Sequence, residues 1–356
     1  MSQPLVSVVM VVCNVERFLA ESIESVLGQT FRDFEFIILD FGSTDNTKSI
    51  VAGYAAKDSR IKLSEIPHCG LAEARNAVSF LAQGRYIAVM DADDVSMPDR
   101  LKWETAFMEE HPEIGIVGGA IQWIDGTGRP LRVDSRPVGD DEIQEALLHH
   151  YPFCHSSLLM RRDAFARSGG YRPAFAPAED YDLAIRMAEY CKCANLEQVV
   201  LQYRVHGTQL SLKKGRYQSL AKLAARASAV SRRSGTGDPL NSAGEITSAL
   251  LVGLGVTEAA QRRAVALDRQ QWIRLMCMAG EYPLALDAAV ETLQSDLKDV
   301  ERWLIADLRL RAACLYWRQR RFARSLLTGI HAFTTRPSML GRPLKRLLQR
   351  RSSISR

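Results

Sequence analysis

Apolar and polar positions come in alternating blocks through the first half of the chain. From Val6 to Val12 every residue but Ser7 is apolar and most are β-branched, the pattern of a strand covered on both faces. Asn14 opens a loop. Phe18, Leu19, Ile23, Val26 and Leu27 then fall at helical spacing, and residues 36–39 read as a second buried strand. Ser43-Thr44-Asp45 can cap a helix through Tyr54. Residues 61–66 and 86–90 read as strands with a helix at 71–82 between them. This alternation predicts a doubly wound α/β sheet, and ligands on such sheets bind at the carboxyl ends of strands, where Asn14, Asp40 and Asp91 fall. A helix from Pro98 to about residue 110, a strand at 115–124, a helix at about 179–190 and a strand at 198–205 ending at His206 complete the pattern.

Beyond Ser211 the periodicity becomes helical, interrupted by a Ser-, Gly-, Asp- and Pro-containing stretch at 231–244 that reads as a flexible linker. Leu275, Tyr282, Ala285 and Leu286 recur forty positions later as Leu315, Phe322, Ser325 and Leu326. Either a tetratricopeptide-like pair or a simple helical hairpin accounts for this, because a repeat stack needs about three units to bury a core. The expected divisions are a domain at 1–210, a helical segment at 211–270, the hairpin or repeat pair at 271–335 and a basic amphipathic tail at 336–356.

With 47% apolar and 24% charged residues, 356 positions suffice for a large core plus an appendage. The first apolar run has no basic leader and is too short to span a membrane. Seven cysteines without a CxxC pair suit reduced thiols in a cytoplasm. The net charge of +5 is uneven: residues 1–210 hold 20 Lys/Arg against 30 Asp/Glu, and residues 211–356 hold 26 against 11. In the tail, Leu340, Leu344, Leu347 and Leu348 are interspersed with cations and no acid, so a basic helix there would suit an anionic membrane surface or pack as a terminal helix. No nucleic-acid-reading motif accompanies the basic half.

Asp91-Ala92-Asp93-Asp94 crowds carboxylates after a buried strand, which a hard divalent cation would relieve; the plainer reading is a helix cap. Glu179-Asp180 opens a predicted helix, where one carboxylate could act as a general base or merely complement the helix dipole. Arg75 could face a phosphate or a carboxylate, and His206 could contact a metal or phosphate.

Taken in order, VSVVMVVCN, SIESVLGQTFRDFEFIILDFGSTDNT, GLAEARN, GRYIAVMDADDVSMPDRL, RRDAFARSGGYR, AEDYDLAIRMAE and YRVHGTQLS resemble the family 2 glycosyltransferases over about residues 5–211. The resemblance implies the GT-A nucleotide-sugar-binding fold with a C-terminal helical extension. It implies a metal-dependent, inverting hexosyl-type transfer from a nucleotide sugar to a hydroxyl of a lipid-linked or polysaccharide acceptor in cell-surface glycan synthesis. Mn²⁺ or Mg²⁺ would be held by Asp91 and Asp93, with Asp93 the direct ligand and His206 approaching the metal or the diphosphate. Asp180, with Glu179 beside it, would supply the base. Val11, Cys13, Asn14, Asp40, Phe41, Arg75, Asp91 and Ala92 would line the donor site. The implied location is cytoplasmic, with a peripheral position on the inner face of the cytoplasmic membrane if the tail binds lipid.

Two positions depart from the family pattern. Relatives that use UDP-sugars carry a tyrosine where this chain has Cys13 and an aspartate where it has Phe41. Phe41 could stack on the base in place of the tyrosine, the pocket could read its base less strictly, or donor binding could be lost to leave a nucleotide- or partner-binding scaffold. Retention of Asp40, Asp91, Asp93, Asp180 and His206 favours an enzyme, with a UDP-sugar as the leading donor. A nucleotidyltransferase is disfavoured because no Gly-rich phosphate loop follows the first strand.

Overall fold

A computed structural model describes residues 3–209 and 214–336, which divide into two compact units. The first comprises residues up to Val205 together with Ala221–Leu250. At its centre is a nine-stranded sheet in the order β3-β2-β1-β4-β8-β6-β9-β5, with β7 paired to β6. β1 (Val6–Val12), β2 (Phe34–Asp40), β3 (Ile61–Glu65) and β4 (Tyr86–Val89) run parallel. β1, β2 and β4 are almost wholly buried, as their unbroken apolar runs require. The crossovers between the parallel strands contain α1 (Glu16–Leu27), α2 (Thr47–Ala55) and α3 (Leu71–Phe80).

The other half of the sheet is mixed. β8 (Leu159–Arg161) runs antiparallel to both β4 and β6 (Ile114–Asp125), and β6 runs parallel to β9 (Lys192–Val205). The short β5 (Val95–Ser96) returns antiparallel to β9, which brings the chain just after Asp94 back onto the sheet. β7 is Pro130–Asp134. The remaining helices of this half are α4 (Arg100–Glu110), α5 (Asp140–Leu147), α6 (Arg162–Ser168) and α7 (Glu179–Ala188).

The boundary expected at residue 210 differs from the observed division, since α8 (Gly215–Arg233) carries the chain from the second unit back into the first. The stretch 231–244, expected to be a flexible linker, is instead tied down. Asp238 accepts hydrogen bonds from Arg172 (2.8 Å) and Arg232 (2.7 Å) and from Ser228, and Leu240 beside it is buried. Composition correctly marks a loop here; donors from two separate segments hold it in place.

The second unit comprises His206–Leu220 and the chain from Leu251 onward. α9 (Ser248–Gly253) precedes α10 (Glu258–Ala279), α11 (Tyr282–Gln294), α12 (Arg302–Arg318) and α13 (Phe322–Thr335). Ile273, Met276, Ala285, Leu286, Leu304, Leu308 and Leu315 share one core, so the forty-residue recurrence corresponds to two successive helical hairpins. Among the described residues, no helix is long and apolar enough to cross a membrane. The tail expected at 336–356 lies outside the described residues after Arg336.

Candidate active site

Four elements of the first unit converge at the carboxyl ends of β1, β2 and β4. The β1 and β2 loops are bound to each other through Asn14, which adopts a left-handed backbone (φ 54°). Its Oδ1 accepts from the Thr44 amide at 2.8 Å, and its own amide donates to Ser43 Oγ at 3.1 Å. Asp40 is buried; Oδ1 accepts from the amides of Gly42 and Ser43, both at 2.8 Å, whereas Oδ2 has no hydrogen-bond partner. Its Oδ1 thus fixes the turn by which β2 leaves the sheet.

Phe41 follows on that turn, half-buried, with its ring stacked on His68 at a centroid distance of 6.0 Å and an interplanar angle of 15°. His68 Nδ1 also lies 3.2 Å from the Phe41 carbonyl. Gly42 permits this approach: its φ is 109°, and a Cβ there would stand 3.0 Å from that of His68. Cys13, half-buried next to Asn14 in the chain, has its thiol pushed up by desolvation and by the carboxylates of Asp40 and Asp45, so it is a neutral apolar contact.

The acidic turn after β4 is clamped from several sides. The Asp91 amide donates to Ser156 Oγ at 2.9 Å. Arg100, fully buried, reaches the carbonyl of Ser156 at 2.7 Å and that of Val89 at 3.1 Å, while pairing with Glu104 at 3.1 Å. From β9, Arg204 donates its amide to Asp94 Oδ1 (2.9 Å) and its Nε to the Asp93 carbonyl (2.8 Å). Asp94 is therefore a buried strut rather than a helix cap. Ala92 is buried, leaving the half-buried Asp91 and Asp93 as the more accessible carboxylates of the turn.

Arg75, on α3, joins the turn to α7. One guanidinium nitrogen is 3.2 Å from Asp91 Oδ1 and another pairs with Glu179, which is fully buried. His155 Nδ1 lies 3.7 Å from Asp91 Oδ2, and its Nε2 is 3.0 Å from the Tyr171 hydroxyl. Although burial opposes ionisation of Asp91, Arg75 and His155 hold its carboxyl well below the usual carboxylate range. Burial, followed by the charges of Asp93 and Asp91, pushes Asp94 well above that range. Val9, Val11, Arg75, Asp91 and Tyr171 line a cleft between these groups.

Such a constellation of strand-end carboxylates, a guanidinium and a helix-opening acid pair suits binding of a phosphorylated ligand beside a base. A family model described as "Glycosyl transferase family 2" matches residues 7–169. Bacillus subtilis EpsE is 40% identical over 193 residues, 53% of this chain and 68% of that protein. The O-antigen biosynthesis glycosyltransferase WbnJ of Escherichia coli is 31% identical over 206 residues, 57% of this chain and 80% of the relative. The chain belongs to glycosyltransferase family 2.

Solved structures agree on the fold of this glycosyltransferase. Staphylococcus aureus TarS 1–349 in complex with UDP-GlcNAc matches with a TM-score of 0.50 at 16% identity, over 91% of this chain and 90% of that one. The mannosyltransferase PcManGT from Pyrobaculum calidifontis, in complex with GDP-Man and Mn²⁺, matches with a TM-score of 0.50 at 17% identity, over 94% and 87%.

The first unit brings together Val11, Cys13, Asn14, Asp40 and Phe41 on the β1 and β2 ends, and Arg75, Asp91, Ala92, Asp93, Glu179 and Asp180 around the acidic turn. The acid pair divides: Glu179 is committed to Arg75, whereas Asp180 is half-buried at the start of α7 with Oδ1 turned back onto the Tyr181 amide at 2.8 Å. His206 belongs to the second unit, where it is buried with Nδ1 2.8 Å from Thr208 Oγ1.

His68, Arg100, His155, Ser156, Tyr171 and Arg204 contact these candidate residues or each other and were given no role by the motif reading. The i, i+4 spacing of Arg100 and Glu104 is visible in the sequence but looks like any surface helix pair.

Among the described residues no group of three or more His, Cys, Asp or Glu side chains could hold a metal ion. The donor set nevertheless fits a hard cation that takes one or two carboxylates and completes its shell with phosphate and water. Asp93 and Asp91 are the half-buried carboxylates open to such an ion, and Asp94 behind them is pushed up first by burial and then by their two charges, a sign of the negative charge gathered in the turn. Asp91 is already balanced by Arg75.

Proposed function

We propose that this glycosyltransferase moves a sugar from a nucleotide-sugar donor to a hydroxyl of a polysaccharide or lipid-linked glycan acceptor, with inversion, in cell-surface glycan synthesis. The observation that carries this reading is the convergence of Asp40, Asp91, Asp93 and Asp180 near the ends of β1, β2 and β4 and the start of α7, braced by Arg75. WbnJ's name supports the pathway class, and the UDP-GlcNAc and GDP-Man complexes support the donor class.

In the proposed reaction, Asp180 accepts the proton of the acceptor hydroxyl. The resulting oxygen forms a bond to the anomeric carbon from the face opposite the leaving group. The bond from that carbon to the diphosphate oxygen breaks, and its electron pair leaves with the nucleoside diphosphate. Asp93, with Asp91, would hold Mn²⁺ or Mg²⁺, which supplies charge stabilisation to a departing diphosphate. Glu179 is a positioning residue, fixing Arg75 and through it Asp91. The β1 and β2 loops hold the nucleoside, with the Phe41–His68 stack offering an aromatic wall where Cys13 cannot. A UDP-sugar remains the leading donor, since that wall can replace stacking contact without dictating the base.

The test is a donor screen scored by nucleoside diphosphate release with Mn²⁺ or Mg²⁺, repeated with Asp180→Asn and Asp93→Ala. The proposal expects one donor to turn over and both variants to lose about a hundredfold or more in kcat. Undiminished turnover in either variant would refute the corresponding role.

A further inference from the structure

α13 is built inside out. Its packed side is made of small residues: Ser325 and Ala332 are buried, and Ser325 Oγ donates to the Ala313 carbonyl of α12 at 2.8 Å. Its large apolar side chains point away from the hairpin. Phe322, Leu326, Leu327 and Ile330 are 50%, 68%, 57% and 49% exposed, and at 100° per residue they span one broad arc of the helix. Trp317, at the end of α12, extends the patch; it is 62% exposed and meets Phe322 edge-on at 4.7 Å.

The internal recurrence shows that this is not the ordinary state of the position. Leu286 of α11 is 2% exposed in the core shared with Leu304 and Leu308, yet its counterpart Leu326 is open. An uncovered apolar stripe of this kind on a surface helix marks an interaction site.

Charge selects the occupant. Arg320, Arg321 and Arg324, at and just before the start of α13, are all exposed. After Asp307 the sequence carries charge of one sign, since residues 308–356 contain 13 Lys/Arg and no Asp/Glu. Exposed tryptophan, phenylalanine and leucine on a segment whose sequence carries cations and no acid complement a surface that is apolar inside and negative outside. That is the chemistry of an anionic lipid bilayer, in which the rings and aliphatic chains enter the headgroup boundary while the guanidiniums meet phosphate.

We propose that the outer face of α13, with Trp317, docks the enzyme on an anionic membrane surface. The inference is independent of the donor and acceptor chemistry proposed above, and its test reads binding rather than turnover.

The experiment is sedimentation of the full chain with vesicles of phosphatidylcholine alone or with about a third phosphatidylglycerol. Leu326→Ser/Leu327→Ser and Arg321→Gln/Arg324→Gln alter exposed positions, and matched circular dichroism and gel filtration check that fold and oligomeric state are kept. The parent is expected to bind the anionic vesicles, release from them as salt rises, and ignore the neutral ones. The leucine pair should lower partitioning about tenfold or more, and the arginine pair about tenfold. Equal binding to both vesicle types overturns the proposal, as does unchanged binding of the leucine variant, which would assign any lipid contact to other residues. A parent that does not bind, or one that elutes as a dimer dissociated by the leucine substitutions, also overturns it and assigns the face to the chain itself.

Discussion

Replacing Arg75 by methionine removes the charge that joins the acidic turn to α7. Glu179 is buried with a side chain 1% exposed, its Oε2 has no hydrogen-bond partner, and its charge is balanced by Arg75. Taking away one partner of a buried pair leaves an uncompensated charge and costs about 3–5 kcal/mol. Burial already pushes Glu179 above the usual carboxylate range with Arg75 present, and removing the guanidinium pushes it further in the same direction, so proton uptake limits the loss. This gives a pH signature. A carboxyl whose folded value is raised binds its proton more tightly in the folded state, so the variant's stability should fall as pH rises from about 5 toward its new folded value. The assay is urea unfolding with hydrogen exchange read on peptides from β1, β2 and β4, at about pH 5.5, 7 and 8.5, for Arg75→Met, Glu179→Gln and the double variant. Because the second substitution removes the stranded carboxylate, the double variant should recover much of the loss, with a coupling of about 1–3 kcal/mol. A cost below about 1 kcal/mol at neutral pH, or no recovery in the double variant, would refute the buried-pair reasoning.

Three further outcomes follow from the same contacts. Asp238, lowered to about 2 from 3.8 with Ser228, Arg172 and Arg232 around it, contributes stability that is present above about pH 4 and lost as pH falls through 2. Asp238→Asn should therefore cost about 2 kcal/mol at neutral pH and flatten the acid limb of the unfolding curve. Phe41→Ala and His68→Ala should each raise the donor KM with kcat little changed, by the equivalent of about 1–3 kcal/mol for a stacked base, measured by initial rates across donor concentrations. Asn14→Ala should destabilise the first unit by about 1–2 kcal/mol, chiefly because it places alanine at a φ of 54° and also removes the exposed hydrogen bond to the Thr44 amide; thermal unfolding checks it.

The parallel half of the sheet was legible because β1, β2 and β4 are buried on both faces and their sequences carry no ambiguity of period. Glu179 and Asp180 could not be told apart in that way. Residues 179, 181–185, 187 and 188 of α7 are all buried, so no polar face orients the helix, and the cation that claims Glu179 stands 104 positions away. The clamps on the acidic turn were hidden for the same reason: Arg204 reaches Asp94 across 110 positions and Arg100 reaches Ser156 across 56. Residues 231–244 show the converse, a loop whose composition was read correctly and whose rigidity was not, because rigidity lies in Arg172 and Arg232 rather than in the loop.

Leu286 and Leu326 carry this difference between pattern and partner furthest. Both occupy the same place in the forty-residue recurrence, and local periodicity assigns both to an apolar face. One is buried by the helix that follows it and the other is 68% exposed. Periodicity specifies which side of a helix avoids water; only the neighbouring elements decide whether that side is satisfied within the fold. Where the described residues leave it open and the sequence around it carries charge of one sign, the requirement can pass to a partner of the opposite sign, which is why the proposal for α13 turns to an anionic surface.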